Sequence, residues 1–236
     1  MNYAFIPARS GSSRLKNKNI LEFNGIPLFG WTLKAAMDSK LIDKVIFSSD
    51  SDNYIDLAYS LVKNYKKELL IDLRQKSQAT NESKIFDYLK SELLQKFRFD
   101  DEDLIVQLLP TCPLRREKHI DEAVTLSSES KTGVFAACEY DFHVTFAFEP
   151  KSNGNWVPLI EDSPMVTGNT QSQSQKKYMH TNGSINCLPV SLLKKNKKSI
   201  YQGCKYYIMD RNSSIDIDDH NDFILAEIIS KNFKNL

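Results

Sequence analysis

Short apolar runs alternate with amphipathic segments over most of the chain. Runs with the length and composition of buried strands lie at Tyr3–Pro7, Lys44–Ser48, Leu69–Leu73, Leu104–Leu109 and Gly133–Cys138. Between these runs, apolar residues recur at helical spacing in Leu28–Ser39, Asn53–Lys63, Lys84–Phe97 and Lys118–Ser127. Strands that alternate with helices predict an α/β fold in which helices cover both faces of a mostly parallel sheet.

The alternation breaks after Cys138. The segments HVTFAFEP and GNWVPLI are typical of two short strands joined around Ser152–Gly154, a hairpin outside the regular pattern. The polar stretch TGNTQSQSQKKYMHTNG that follows is consistent with a disordered linker or a mobile loop at a binding site, and the orderly NGSINCLPV after it favours the loop. Further strands are predicted near Ser184–Leu188 and Lys205–Met209, and a helix from about Asp222 to Lys231. The sequence predicts one domain over residues 1–236.

Composition and charge exclude several classes of protein. Apolar residues make up 41% of the 236 residues and charged residues 26%, as in an ordinary soluble globular protein. The net charge is +1, from 31 basic and 30 acidic residues. We therefore expect no attraction to nucleic acid or to an anionic membrane, and any anion site must be a local cluster.

The cysteines and the N-terminal segment indicate a cytoplasmic protein. The four cysteines lie far apart without a C-x-x-C pair, which argues against a zinc site and favours buried, reduced thiols. The opening MNYAFIPARS lacks the basic-then-apolar order of a signal peptide. No apolar run is long enough to span a bilayer, so we expect no membrane association.

The loop after the first predicted strand, ARSGSSRLKNKN, is a local basic cluster. It matches neither a Walker A loop nor G-x-G-x-x-G, because Gly11 is its only glycine. Phosphate charge would instead be met by Arg9, Arg14 and Lys18, with donors from Ser12 and the loop amides. Ligands of parallel sheets bind at the carboxyl ends of strands, where this loop falls. The alternative interpretation is a solvated basic loop.

Two carboxylates in SIDIDDHND form the strongest acidic pair. In an extended segment, residues i and i+2 point the same way, so Asp216 and Asp218 share one face while the isoleucines are buried. Neighbouring like charges are costly without a cation between them, and Mg²⁺ or Mn²⁺ prefers oxygen ligands. The alternative is that Asp218, Asp219 and Asp222 cap the last helix. Capping leaves Asp216 unexplained, so we predict a metal site formed by Asp216 and Asp218.

Five segments in chain order resemble the motifs of the acylneuraminate cytidylyltransferases, the CMP-sialic acid synthetases, whose close relatives are the CMP-Kdo synthetases. The segments are IPARSGSSRLKNKN with the following GIPL, FSSDSDNYIDLA (Phe47–Ala58), LLPTCPLRREKHIDEA (Leu108–Ala123), TNGSI (Thr181–Ile185) and SIDIDDHNDFILAE (Ser214–Glu227). The resemblance implies a three-layer, Rossmann-like nucleotidyltransferase fold. It also implies that CTP is coupled to a 2-keto sugar acid, such as a sialic acid-like nonulosonate, with release of pyrophosphate.

The resemblance also assigns roles to individual residues. The implied nucleotide-binding residues are Arg9, Ser12, Ser13, Arg14, Lys18, Asn19 and Arg74. Many sialic acid members carry a lysine where this chain has Ser13, so we assign the phosphate-neutralising role to Arg14. Arg74 matches an arginine near the cytosine and ribose, although a surface position after a strand is the alternative. The predicted catalytic residues are Arg9, Arg14, Lys18, Asp216 and Asp218.

The sugar-binding region departs from the family pattern. The family holds the sugar carboxylate partly with arginines around an R-P-N-G segment, whereas this chain has His180 two residues before Asn182 and only lysines in QSQSQKK. The family glutamine of L-Q-P-T-S-P is Leu109 here, with Gln107 two residues earlier. The predicted substrate-binding residues are Gln107, Lys176, Lys177, His180 and Asn182. We expect a substrate other than N-acetylneuraminate, which leaves legionaminic-, pseudaminic- and Kdo-type acids open.

The predicted hairpin is a candidate dimerisation arm at residues 141–165. Phe148, Trp156 and Leu159 are too apolar for a free hairpin and need a partner surface. By the resemblance, the arm would join two copies of the chain in a homodimer. The lysine-rich run Leu193–Lys198 is predicted to be a solvated helix end.

Two alternative functions stay open from the sequence. One is a nucleotidyltransferase of related fold that acts on another sugar, such as Kdo, a sugar 1-phosphate or methylerythritol phosphate; TNGSI and the I-D-I-D segment argue against the last two. The other is a non-catalytic nucleotide-binding relative, favoured by the missing arginines of the sugar region. Asp50 and Asp52, after the second strand, would either approach the nucleotide or cap a helix.

Overall fold

Alternating strands and helices build the protein, as its computed structural model shows for residues 1–80, 82–195 and 199–233. The strands are β1 (Asn2–Pro7), β2 (Glu22–Phe23), β3 (Ile26–Pro27), β4 (Lys44–Ser49), β5 (Glu68–Leu73), β6 (Leu104–Leu108), β7 (Val134–Glu139), β8 (Phe148–Pro150), β9 (Trp156–Pro158), β10 (Met179–Pro189) and β11 (Lys205–Ile208). The α-helices are α1 (Leu28–Asp38), α2 (Asp52–Val62), α3 (Ile85–Tyr88), α4 (Leu94–Lys96), α5 (Glu117–Ser130), α6 (Pro164–Thr167), α7 (Val190–Leu193) and α8 (His220–Phe233). A π-helical turn, Leu89–Leu93, joins α3 to α4.

The central sheet has seven strands in the order β11–β7–β10–β6–β1–β4–β5. The pairs β1–β4, β1–β6, β4–β5 and β7–β11 are parallel, while β10 pairs antiparallel with β6. This confirms the predicted mostly parallel sheet. The central position of β1 brings the basic loop that follows it to the middle of the carboxyl edge of its parallel neighbours β4 and β6.

Helices cover both faces of the sheet. Along β1, Ala4 and Ile6 belong to one buried cluster with residues of α1, α2 and α5, while Tyr3 and Phe5 belong to a second with Tyr88 and its neighbours. Opposite faces therefore bury alternate residues, which is why β1, β4 and β6 read as continuous apolar runs. The predicted three layers are confirmed.

Three local features differ from the predicted elements. The predicted helix Lys84–Phe97 is interrupted by the π-helical turn, whose apolar spacing is indistinguishable in sequence from that of a regular helix. The strand predicted near Ser184–Leu188 begins earlier, at Met179. The sequence prediction also missed the β2–β3 hairpin, although its turn, Asn24–Gly25, has the positive φ angles of 49° and 86° that favour this dipeptide.

The chain divides into two compact units. The larger comprises Met1–Ala137 and the chain from Asn182 onward, and the smaller comprises Cys138–Thr181. Strands β8 and β9 pair antiparallel within the smaller unit, which confirms the predicted hairpin. The single domain with an arm at residues 141–165 stays a prediction.

Two further sequence-based expectations concern helices. No helix among the described residues is both long and apolar enough to cross a lipid bilayer. In the lysine-rich run, Lys194 follows α7 and pairs with Asp101 at 2.5 Å between Nζ and Oδ1. Residues 196–198 of that run lie outside the described residues.

Candidate functional site

A cavity of about 360 Å³ opens in the larger unit at the carboxyl ends of β1, β5 and β6. Its lining includes all of the predicted nucleotide-binding and metal-binding side chains, namely Arg9, Ser12, Ser13, Arg14, Lys18, Asn19, Arg74, Asp216 and Asp218. Four of these side chains are cationic and two are carboxylates. The cavity therefore favours a large anionic ligand.

Contacts within the protein fix the shape of the basic loop. The backbone N–H and hydroxyl of Ser10 each donate to the Asp50 carboxylate at 2.7 Å, and Asn19 Nδ2 donates to the Arg9 carbonyl at 2.8 Å. Burial opposes ionisation of Asp50, but the hydrogen bonds from Ser10 outweigh it and lower the pKa of this carboxyl. Asp50 is not among the residues that line the cavity, and its approach to a nucleotide stays a prediction. Asp50 holds the loop that carries the cationic side chains.

Asp218 is already paired with two cations of the loop. Arg14 Nη1 lies 2.8 Å from one carboxylate oxygen and Lys18 Nζ lies 3.3 Å from the other. Lys18 Nζ also donates to the Ile217 carbonyl. The expectation that the acidic pair needs an external cation is therefore incomplete, because the protein supplies two. Ion pairs as exposed as Arg14–Asp218 are weak, so these contacts can rearrange around a ligand.

Asp216 lines the same cavity as Asp218. Burial raises the pKa of Asp216, and a hydrogen bond with Thr111 partly offsets that effect. The backbone N–H of Ile217 donates to the Thr111 carbonyl at 2.8 Å, and the Ile217 side chain is fully buried. The predicted alternation is thus observed: two carboxylates face the cavity and the residue between them faces the core.

Helix capping accounts for the neighbouring acidic residues. Asp222 accepts hydrogen bonds from the backbone N–H groups of Asp218 and Asp219, and Asp219 accepts from that of Asn221 at the start of α8. Capping thus explains Asp219 and Asp222. It leaves the side chains of Asp216 and Asp218 directed at the cavity.

The donor set of the cavity fits a divalent cation shared with phosphates. Mg²⁺ takes oxygen ligands, commonly one or two carboxylates together with phosphate oxygens and water. Asp216 and Asp218 supply two carboxylates, and no described group of three His, Cys, Asp or Glu side chains is arranged to hold a metal alone. The pair therefore suits a metal that arrives with a phosphorylated ligand.

Arg74 is a buried cation on the cavity wall, which excludes the surface position left open above. Its side chain is only 6% exposed, and burial lowers its pKa. No carboxylate among the described residues lies within ion-pair distance of its guanidinium, and its Nε has no hydrogen-bond partner there. A buried arginine in this state has donor capacity to offer a ligand.

Two of the predicted sugar-binding residues, Gln107 and Asn182, are buried in the larger unit away from the cavity lining. Asn182 donates to Ser214 Oγ at 2.8 Å and accepts from Ser184, so its amide is occupied by neighbouring residues. Gln107 pairs in register with Asn186, and the side-chain oxygens of both lack partners among the described residues. The substrate-binding role of these residues stays a prediction.

The other three predicted sugar-binding residues lie in the smaller unit. Lys177 pairs with Glu139 at 3.3 Å, while Lys176 lies over the Tyr178 ring. Both ring nitrogens of His180 are engaged: Nε2 lies 3.1 Å from Cys138 Sγ and Nδ1 lies 3.0 Å from the Thr181 carbonyl. Both lysines are exposed, whereas His180 is partly buried.

Sequence analysis missed part of the cavity wall. The segment after Arg74 contributes Ala79, Thr80, Ser83 and Ile85, and the end of β6 contributes Leu109, Pro110 and Thr111. Thr111 lies in the recognised P-T-C-P-L-R segment, so a motif signal existed for it. The segment after Arg74 carries no pattern of its own.

Arg115 of the same motif was also missed, and it supports the wall from behind. Its guanidinium, fully buried, donates to the carbonyls of Leu109 and Ser184 and to Thr32 Oγ1 at 3.2, 2.7 and 2.6 Å. Burial lowers its pKa to about 10. These bonds tie the end of β6 to the middle of β10 and of α1 beside the cavity.

Comparison with protein families decides the classification. The cytidylyltransferase family model matches residues 3–202. The chain belongs to the cytidylyltransferase family. This confirms the resemblance drawn from the five motifs.

Individual relatives of this cytidylyltransferase-family chain carry related names. An N-acylneuraminate cytidylyltransferase of Escherichia coli is 32% identical over 97% of this chain and 52% of its own length. A pseudaminic acid cytidylyltransferase of Campylobacter jejuni is 27% identical over 98% of this chain and 96% of its own length. The chain thus spans about half the length of the first of these relatives and nearly all of the second.

The fold is shared with solved cytidylyltransferase structures. A CMP:2-keto-3-deoxy-manno-octonic acid synthetase complexed with CTP superposes with a TM-score of 0.66 at 13% identity, covering 100% of this chain and 99% of that one. At this identity the likeness establishes the Rossmann-like fold alone.

Proposed function

We propose that this chain transfers CMP from CTP to a 2-keto sugar acid of the nonulosonate class and releases pyrophosphate. The observation that carries the proposal is a cavity that brings four cationic side chains and two carboxylates to the carboxyl edge of the sheet. The anomeric hydroxyl of the sugar acid would attack the α-phosphorus in line with the departing pyrophosphate. Such a reaction depends mainly on positioning and on neutralising charge.

The loop residues supply the charge that the triphosphate requires. Arg9 and Arg14 can each hold phosphate oxygens with two parallel N–H groups, and Lys18 adds a point charge close to Asp218. Ser12 and Ser13 add hydroxyl donors on the same wall, and Asn19 fixes the loop. Asp50 and Asn19 hold the backbone of the loop in place before the ligand arrives, so binding requires movement of the Arg14 and Lys18 side chains but not of the loop itself.

The separation of Arg74 from the loop matches a whole nucleotide rather than an isolated phosphate. Arg74 follows β5 and the loop follows β1, and β4 lies between these strands. Two strand spacings place the ends about 10 Å apart. A ligand that touches both extends over about this distance, and from the resemblance to the family we assign Arg74 to the nucleoside part of CTP.

Asp216 and Asp218 would hold Mg²⁺ or Mn²⁺ together with phosphate oxygens. The cation would neutralise phosphate charge and lower the pKa of the attacking hydroxyl. Arg14 and Lys18, which pair with Asp218, would then turn to the phosphates.

Release of pyrophosphate in the presence of different nucleotides tests the proposed reaction. The protein is incubated with Mg²⁺, a mixture of ulosonic acids and one of the nucleotides CTP, UTP, GTP or ATP. Of the four nucleotides, only CTP should give rapid release of pyrophosphate. Release that depends on UTP or GTP would point to a different nucleotidyltransferase. Tight CTP binding without release under any of these conditions would favour the non-catalytic relative.

The choice of sugar acid is a separate prediction. The sugar region offers lysines where the family has arginines, so we expect the carboxylate of the substrate to be met by Lys176, Lys177 or His180. Because those groups differ in shape and in hydrogen-bonding capacity from arginine, turnover should be at least about tenfold faster with a legionaminic-, pseudaminic- or Kdo-type acid than with N-acetylneuraminate. Comparison of kcat/KM across these acids measures the preference. Preference for N-acetylneuraminate would contradict it.

We also propose that the chain forms a homodimer through the smaller unit. Apolar side chains of this unit are widely exposed, with Phe142 at 70% and Leu159 at 67%, and Phe148, Trp156 and Val157 beside them on or next to the hairpin. Exposed apolar clusters of this kind mark interaction surfaces.

Size-exclusion chromatography with light scattering at micromolar concentration should give twice the chain mass of 27.1 kDa. The double variant Phe148→Ser, Leu159→Ser should have half that measured mass, as expected for a monomer. A monomeric wild type would refute the dimer.

A cytoplasmic location completes the proposal. The four cysteines are all thiols, as is usual in a reducing compartment. CTP, the proposed donor, is supplied there.

A further inference from the structure

Near Arg74 lies a buried carboxylate that is not among the residues lining the cavity. Asp72 is the penultimate residue of β5, and its side chain is completely excluded from solvent. It accepts hydrogen bonds from Ser48 Oγ at 2.6 Å, Tyr88 OH at 2.7 Å and Lys96 Nζ at 2.9 Å. Three donors of this kind satisfy a buried charge that would otherwise be very costly.

Two of the residues bonded to Asp72 are the supports of Arg74. The guanidinium of Arg74 lies over the Tyr88 ring, 5.6 Å from its centroid, and its Nη2 donates a long hydrogen bond of 3.4 Å to the Ser48 carbonyl. The same oxygen, Asp72 Oδ2, accepts from both Ser48 and Tyr88. One carboxylate oxygen thus bonds to the side chains of both residues that contact the guanidinium.

Lys96 holds the Tyr88 ring from the other direction. Its Nζ donates to Tyr88 OH at 2.9 Å while it pairs with Asp72 Oδ1, and it lies 5.4 Å from the ring centroid. Burial and the hydrogen bond to Asp72 raise the pKa of Tyr88, so its hydroxyl keeps its proton and remains a donor. The orientation of the ring is therefore fixed at its hydroxyl end.

We propose that Asp72, Tyr88 and Lys96 are positioning residues that hold Arg74 in the orientation that binds the nucleoside part of CTP. The inference rests on the proposed function, because it assumes that Arg74 contacts the nucleotide. Arg74 has no carboxylate partner among the described residues, so ring stacking and a carbonyl are what keep it in place. Loosening the Tyr88 ring should let the guanidinium move and weaken its contact with the ligand.

Calorimetric titration with CTP and with inorganic tripolyphosphate, both with Mg²⁺, separates this role from general destabilisation. Tyr88→Phe keeps the ring but removes the hydroxyl, and should raise the Kd for CTP by about fivefold. The Kd for tripolyphosphate should stay within twofold of the wild type, since the loop after β1 binds it. Tyr54→Phe is the matched control, because it also removes a buried tyrosine hydroxyl. Unlike that of Tyr88, the Tyr54 hydroxyl has no hydrogen-bond partner among the described residues, so its removal should change neither Kd.

A double-mutant cycle tests whether the effect passes through Arg74. Arg74→Ala should weaken CTP binding by itself, and adding Tyr88→Phe should then cause no further loss, because the residue being positioned is gone. Lys96→Met changes a partly exposed side chain and should also raise the Kd for CTP. It replaces Tyr88→Phe in the test if that variant does not fold.

The outcomes distinguish this inference from the proposed function. A wild type that binds neither CTP nor tripolyphosphate overturns both. The positioning role alone is overturned if the wild type binds both ligands and Tyr88→Phe and Lys96→Met leave the Kd for CTP unchanged. It is also overturned if these variants raise the Kd for both ligands equally, or if their effect on the Kd for CTP adds to that of Arg74→Ala.

Discussion

Asp216→Asn and Asp218→Asn should each lower kcat by about 10²-fold or more, the loss typical of removing one preorganised electrostatic contact. Both carboxylates face the cavity, and each amide replacement removes a negative ligand while nearly preserving shape. Steady-state pyrophosphate release at saturating CTP and sugar acid measures the effect. An excess of chelator should abolish turnover of the wild type, and Mg²⁺ or Mn²⁺ should restore it.

Folding should survive both substitutions. The pKa of Asp216 is raised, so ionisation of this carboxyl does not stabilise the folded state. Because the residue is also exposed, Asn at this position should change stability little. Asp218 forms partly exposed ion pairs whose loss should change stability little.

The matched control for the acidic pair is Asp219→Asn. This residue is adjacent in sequence and carries the same charge, but its carboxylate caps α8 instead of lining the cavity. It should keep kcat near the wild-type value, with at most a modest loss of thermal stability. Near-normal kcat in both Asp216→Asn and Asp218→Asn, or full turnover in chelator, would show that the pair has another role.

Lys18→Met should reduce kcat/KM for CTP by about 10²-fold or more. Lys18 is mostly buried beside Asp218, so its charge acts in a poorly solvated place where electrostatic interactions are strong. Methionine keeps most of the aliphatic length but removes the charge. The initial rate at low CTP concentration measures the change.

Lys16→Met is the control for Lys18→Met. Lys16 belongs to the same loop and carries the same charge, but it is exposed and does not line the cavity. It should stay within about twofold of the wild type, because a solvated charge outside the cavity is screened. Equal losses in the two variants would mean that the loop acts through its total charge and that Lys18 has no specific position.

Local patterns were sufficient to predict those parts of the site that the chain builds from adjacent residues. The alternation in I-D-I-D placed Asp216 and Asp218 on one face, and the strand before the basic loop placed Arg9, Arg14 and Lys18 at the edge of the sheet. Each inference needed only the geometry of an extended segment or the known position of ligands in parallel sheets. These are short-range rules that a single sequence contains.

Contacts between distant residues could not be predicted in this way. Asp72 and Tyr88 are 16 residues apart, and Arg115 and Ser184 are 69 apart. Nothing in the local pattern of either partner specifies the other. In the sequence, Arg115 is one of two basic residues before a helix. Its burial and its hydrogen bonds to distant backbone carbonyls follow only from tertiary packing.

The transfer of the nucleotide to the anomeric oxygen is the central claim, and isotopic labelling tests it most directly. The experiment uses the sugar acid that reacts fastest, labelled with ¹⁸O at its anomeric hydroxyl. It is incubated briefly with CTP, Mg²⁺ and the protein, and the masses of the products are measured by mass spectrometry. The predicted result is a CMP-sugar that retains the label between sugar and phosphorus, with unlabelled pyrophosphate. Hydrolysis of CTP without a CMP-sugar, or a CMP-sugar that lacks the label while the remaining sugar acid keeps it, would contradict the proposed reaction.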